Sequence, residues 1–147
     1  HGAEFIVSYR PYESFGLNFS HTLQFSEDNS YLGVNPGNVP NHLSYFNAYF
    51  RKNNFRFAIN ANYVSAMDAE WSIENLERQA DSVPAHWKIG SNIQMDNFII
   101  PMLSANLRIS NILDSEIRYP AGSQEFTQRG YIGAGRLIQF KLSYSFE

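Results

Sequence analysis

Two carboxylate pairs, Asp68 with Glu70 and Glu74 with Glu77, have the residue types and spacing that acid–base chemistry needs. A carboxylate hydrolase would rest on these alone, and a solvated loop face accounts for them better. Four histidines, His1, His21, His42 and His86, show neither i, i+4 spacing nor ligand-like spacing with acids, so no metal site is expected. Gly130-Tyr-Ile-Gly-Ala-Gly135 has glycines spaced like a phosphate loop. It precedes a strand instead of opening a helix, so the helix dipole that would hold a phosphate is missing, and turn glycines are the better account. No serine sits in a nucleophile elbow. The chain has no cysteine, which removes thiolate zinc sites, disulfide scaffolds and cysteine nucleophiles. No catalytic residue, cofactor or metal is expected, and the chain does not read as an enzyme.

A second set of polar residues alternates with apolar ones: Arg56, Asn60, Asn62, Lys88, Asn92, Gln94, Asn106, Arg108 and Lys141. The plain reading is a solvated wall. The sharper one makes Arg56, Asn60, Lys88, Asn92, Arg108 and Lys141 the lining of a path for an anionic small molecule such as a metal chelate. It relies on four cations with no acid in the same middle strands. Loop aromatics Tyr31, Trp71, Tyr119 and Tyr131 would stack on a planar ligand.

The elements that must position these residues are strands. Seven alternating runs stand out: Ala3–Arg10, Phe15–Phe25, His42–Arg51, Phe55–Val64, His86–Met95, Ile99–Ser110 and Gly135–Phe146. Short connections at Pro11–Ser14, Lys52–Asn54 and Asp96–Phe98 alternate with long ones at Ser26–Asn41, Ser65–Ala85 and Asn111–Ala134. In the second long connection, Ile73, Leu76 and Ala80 are spaced for one helix face, with Ser72 as N-cap, so a short helix is expected there.

Charge sorts with phase. Glu4, Arg10, Arg56, Lys88, Arg108 and Lys141 all fall opposite the apolar phase, and His21 is the one awkward residue in it. Tyr45 and Tyr49 make the third run the least clean. A Lys or Arg facing lipid at midplane costs roughly 2–4 kcal/mol, so a bilayer would enforce this sorting. Aromatics make up 16% of the chain and gather at the run ends as two girdles would. The longest apolar run, Phe98–Leu103, is broken by Pro101 and is far short of the ~20 residues of a spanning helix, whereas a tilted strand needs only ~9–11. Net charge is −3 without a basic patch, so nucleic acid is not an expected partner.

With the strands placed, the chain resembles the C-terminal part of TonB-dependent outer-membrane receptors. Ser104-Ala-Asn-Leu-Arg-Ile-Ser-Asn-Ile-Leu-Asp114 is similar to their penultimate strand and its turn. Gly135-Arg136 resembles the opening of their last strand, and Leu142-Ser-Tyr-Ser-Phe146 its aromatic close. Asn38-Val-Pro-Asn-His42 and Tyr63-Val-Ser-Ala66 resemble the start and exit of inner strands. Glu147 departs from the usual terminal aromatic.

The resemblance implies an all-β, antiparallel up-and-down meander of about seven strands. Residues 1–147 would be the C-terminal part of a large transmembrane β-barrel, with plug and earlier strands lying elsewhere. It further implies a Gram-negative-type outer membrane and energised uptake of a scarce nutrient such as a ferric siderophore. The partners would be lipid, the plug, the remaining strands and a TonB-type coupling protein reached through regions outside this chain. Opening on His with no signal peptide, the chain reads as a processed chain or a piece of a longer one. The alternatives are a complete eight-stranded outer-membrane barrel of structural or adhesive role, its eighth strand within Glu116–Gly133, or a soluble lipocalin-type barrel with its oily face inward.

Overall fold

Period-two alternation becomes structure only when neighbouring strands agree on register, because a one-residue slip turns a whole strand over. The computed structural model describes residues 1–27, 35–72, 74, 76–121 and 129–146. Seven long strands form one antiparallel sheet: β1 (Gly2–Tyr12), β2 (Phe15–Gln24), β3 (His42–Lys52), β4 (Phe55–Val64), β7 (His86–Met95), β8 (Leu103–Ser110) and β11 (Leu137–Tyr144). They lie side by side in chain order, each paired with the next. Two-residue strands fill the long connections: β5 (Trp71–Ser72) pairs with β6 (Glu77–Arg78), and β9 (Arg118–Tyr119) with β10 (Tyr131–Ile132).

The registers bring every apolar phase onto one face. One row runs Val7, Phe19, Phe46, Ala61, Ile89, and the next but one runs Phe15, Phe50, Phe57, Ile93, Leu107, Phe140. The opposite face carries Ser8, Asn18, Asn47, Asn60 in one row and Arg51, Arg56, Gln94, Asn106, Lys141 in another. Phe57, Ile89, Leu107 and Leu142 therefore share an open face. They are not sealed in an interior, and Leu142 remains 54% exposed.

The buried apolar residues among those described are Met67, Ala69, Val83, Ala105, Ile117 and Ala121, and only Ala105 belongs to the sheet. The other five sit in the long connections, where they form small cores at one rim. The chain exposes 10139 Å² at 16.9 kDa, against roughly 7,700 Å² by the scaling for compact monomers. Among the described residues nothing covers either face of the sheet and nothing pairs with the outer edges of β1 and β11.

Two expectations need correction. The strand placed at Ile99–Ser110 begins only at Leu103, because Ile99 and Met102 take left-handed backbone angles (φ 67° and 65°) around Pro101. The short turn expected at Asp96–Phe98 thus runs to Met102. It is pinned by Phe98 N–H to the Leu103 carbonyl (2.7 Å) and Met102 N–H to Asn97 Oδ1 (3.0 Å).

The helix expected from Ser72, Ile73, Leu76 and Ala80 does not form. Ile73 lies outside the described residues, Leu76 is left-handed (φ 55°), and Ser72 is buried in the β5–β6 pair. Arg78 decides the matter: its guanidinium bonds the carbonyls of Asn35 (2.8 Å) and Ala69 (2.9 Å) and lies 5.4 Å from the Trp71 ring centre. Those contacts reward a folded-back ribbon more than a helical face would be rewarded over solvent. The eighth strand that the small-barrel alternative would need within Glu116–Gly133 is not found among the described residues. There β9 and β10 pair with each other and not with the main sheet, while residues 122–128 lie outside the described set.

Candidate functional site

On the polar face, between β4, β7 and β8, lies a hollow of about 450 Å³. Its lining includes Asn60, Asn62, Lys88, Asn92, Arg108 and Asn111. Three backbone facts make it. Gly90 faces Asn60 in the register, and a Cβ there would stand 2.9 Å from Asn60 Oδ1, so the missing side chain is what opens the floor. The β7–β8 ladder stops at Ser91 opposite Ile109 and continues only as one bond from Ile112 N–H to the Ile89 carbonyl (2.9 Å). Asn111 turns the chain at that point with φ 51°, a conformation that asparagine tolerates.

Four of the six expected lining residues, Asn60, Lys88, Asn92 and Arg108, come together here. Asn92 is held in place by Asn106, whose Nδ2 donates to Asn92 Oδ1 at 3.0 Å. No Asp, Glu or His lines the hollow among the described residues, so it presents two cations and a fan of amides. That suits an anionic or hydroxyl-rich guest, bound through charge-assisted and amide hydrogen bonds.

Arg56 and Lys141 stand apart. Lys141 sits opposite Asn106 on the edge strand β11. Arg56 is engaged at the short-turn rim, with its Nη2 2.7 Å from Asp96 Oδ2. The middle strands themselves hold no acid, as expected, and Arg56 is answered from outside them by Asp96 in the β7–β8 turn. Gln94 Nε2 (3.0 Å) and Ser104 Oγ (3.2 Å) also donate to Asp96. The Gln94 hydrogen bond is the largest cause holding the Asp96 carboxyl below its usual value of 3.8; desolvation opposes it, and the Arg56 charge and the Ser104 hydroxyl assist.

The loop aromatics do not assemble as one platform. Tyr31 lies outside the described residues. Trp71 is occupied by Arg78. Tyr119 and Tyr131 face each other across β9–β10, and Tyr119 also meets His86 edge-on at 6.4 Å. Glycines in the 130–135 segment serve the backbone, as expected. Gly130 has φ 78°, where a Cβ would strike the Tyr119 carbonyl oxygen at 2.4 Å.

The awkward His21 is accommodated near the long-connection end of the apolar face. Its Nδ1 lies 2.9 Å from Ser44 Oγ, and its ring centre is 5.6 Å from that of His42. Among the described residues no group of three or more metal-ligating side chains gathers.

Sequence reasoning missed Asn111 as a site residue. It is fully buried; its Nδ2 donates to the Ser115 carbonyl (2.9 Å), and its Oδ1 accepts from Ser115 N–H (3.1 Å). Its position just past a strand end, in a residue type that tolerates left-handed angles, was the available signal. Nearby, Asp114 Oδ1 accepts from Arg136 N–H at 2.8 Å, so the turn after β8 is latched to the approach of β11. At the same rim, His42 N–H donates to Ser65 Oγ (3.1 Å), and Ser65 N–H donates to the His42 carbonyl (3.0 Å). No family model, curated protein or solved structure matches this chain.

Proposed function

We propose that this chain is a wall segment of an outer-membrane uptake receptor of the TonB-dependent kind, a binder and conduit and not an enzyme. The observation that carries the reading is the two-faced sheet. Its seven apolar phases share one uncovered face, while the charges of the seven long strands lie on the opposite, hollowed face, except Lys52, which ends β3 opposite Phe55 at the short-turn rim. An aqueous protein would cover such a face, since contiguous exposed apolar patches beyond a few hundred Å² mark an interaction surface. Five of the strands are 10 or 11 residues long, the length a tilted strand needs to cross a bilayer.

Loop sorting supports the same reading. Residues 13–14, 53–54 and 96–102 connect strands at one rim, and the long connections with their small cores lie at the other. The residue stretches that carry the resemblance also touch one another pairwise: Asp114 with Arg136, and His42 with Ser65. The hollow around Lys88 and Arg108 would face the lumen, where a ligand such as a ferric siderophore would pass. An energised partner would act through regions outside this chain.

Strand direction supports a larger barrel over a self-sufficient one. β1 and β11 are first and seventh in an alternating sheet, so they run the same way and cannot close an antiparallel ladder on each other. Closing this sheet into an antiparallel barrel would take an odd number of further strands between them.

The chain's two tryptophans make a direct test. Trp87 is on the apolar face and 48% exposed, whereas Trp71 is in a long connection. In a Trp71→Phe variant reconstituted into vesicles, brominated lipid should quench Trp87 and aqueous iodide should not. Strong iodide quenching with none from brominated lipid would end the membrane reading.

A further inference from the structure

A second hollow on the polar face, about 280 Å³, lies toward the short-turn rim and is lined by Arg10, Glu13, Tyr49, Arg51 and Arg56 among others. The geometry points to a docking site there for an acidic polypeptide segment, its carboxylates held by Arg10, Arg51 and Arg56.

The three arginines do not meet by accident of loop packing. Between Tyr9 opposite Leu17 and Tyr12 opposite Phe15, β1 carries two residues, Arg10 and Pro11, where β2 has only Gly16. Such a bulge re-aims a side chain, and its extra residue tolerates proline. Gly16 is buried, and a Cβ on it would lie 2.6 Å from the Tyr49 ring, so the tyrosine lies across the strand between the arginines. Arg51 and Arg56 are direct cross-strand partners on β3 and β4. Like charges placed opposite each other destabilise a ladder. Asp96 answers Arg56, and no ion pair answers Arg51 or Arg10 among the described residues. Glu13, in the β1–β2 turn, is the internal acid that lines the same hollow.

Spacing favours a peptide over a single small oxyanion. Arg51 and Arg56 stand one ladder spacing apart and can grip one carboxylate in a fork, whereas Arg10 is two strands from Arg51, roughly 10 Å. Same-face carboxylates two and four residues apart on an extended chain, at ~3.3 Å per residue, are about 7 and 13 Å apart and bracket that gap. The inference holds whichever medium the apolar face meets, so its failure and that of the membrane reading are separable.

The test uses the full 147-residue chain folded in zwitterionic detergent and a fluorescent peptide alternating four glutamates with serines, read by anisotropy at low salt. Charge-assisted contacts predict that Arg51→Gln with Arg56→Gln weakens binding about ten-fold or more, and Arg10→Gln about three-fold. Glu13→Gln should tighten binding about two-fold by removing the internal competitor. A Lys88→Gln/Arg108→Gln variant, altered in the other hollow, should bind within about two-fold of the parent. Equal losses in that last variant would reduce the effect to a diffuse field and overturn the proposal. So would displacement of the peptide by inorganic phosphate at matched charge, or no measurable binding by the parent chain.

Discussion

A charge on the wrong face is the most economical probe of this molecule. Phe57 and Ile89 belong to the apolar rows and Asn60 to the polar rows, though all three lie on neighbouring central strands. In bilayers, Phe57→Lys or Ile89→Arg should cost roughly 2–4 kcal/mol of folding free energy. Asn60→Lys should fold within experimental scatter of the parent, and heat-modifiable gel migration or denaturant titration reads the difference.

Asp96 gives the pH prediction. Its folded-state pKa is depressed, so its contribution is whole above 3.8 and is lost as pH falls through the lower folded value. Thermal midpoints taken from pH 6 downward should show this acid limb in the parent, and Asp96→Asn should flatten it while lowering stability at neutral pH. At Gly90, a valine would meet Asn60 Oδ1 and fill the floor of the larger hollow. Loss of anion or ligand binding with the sheet intact, judged by circular dichroism, is the expected result.

At the level of strands and turns, alternation alone marked all seven long strands, with β4 (Phe55–Val64) and β7 (His86–Met95) matched end to end. That worked because six of the seven strands keep one charge-free phase and β3 breaks it only at its last residue, Lys52, so the phase constrains register as firmly as any contact. The same logic failed where backbone angle mattered more than side-chain pattern. Ile99 and Met102 look like strand residues by composition, yet Pro101 and left-handed angles on either side of it make them a turn. Ile73, Leu76 and Ala80 have helical spacing, yet Arg78 is tied to the carbonyl of Asn35, 43 residues earlier, as well as to Ala69 and Trp71 nearby, and the distant partner could not be read from a window.

The larger hollow was half legible. Alternation supplied Asn60, Lys88, Asn92 and Arg108, but Gly90 and Asn111 act through space left open and a turn made, and neither leaves a periodic trace. A substitution can test the turn argument. Leu76→Gly relieves a left-handed leucine and should leave stability unchanged or raise it by about 1 kcal/mol, where a helical segment would lose a similar amount. A denaturant midpoint distinguishes the two.

Over the whole molecule, the balance of surfaces governs behaviour. Two bare sheet edges and an uncovered oily face leave the isolated chain prone to edge-to-edge association, which strands at open margins invite. Analytical ultracentrifugation in detergent should find oligomers or a broad distribution, and a stable closed monomer would contradict the open-sheet architecture.

Counting strands also fixes sidedness. The first long strand starts at Gly2, beside Gln24 and the long-connection margin, while the last finishes at Tyr144, beside Leu103 and the tight turns. If the proposed barrel were completed by an odd number of hairpin-linked ribbons ahead of His1, the first of them would begin on the tight-turn side, where Phe146 also emerges. Both extremities of such a barrel would then project into one compartment, and anything tethered to either would meet the same solution.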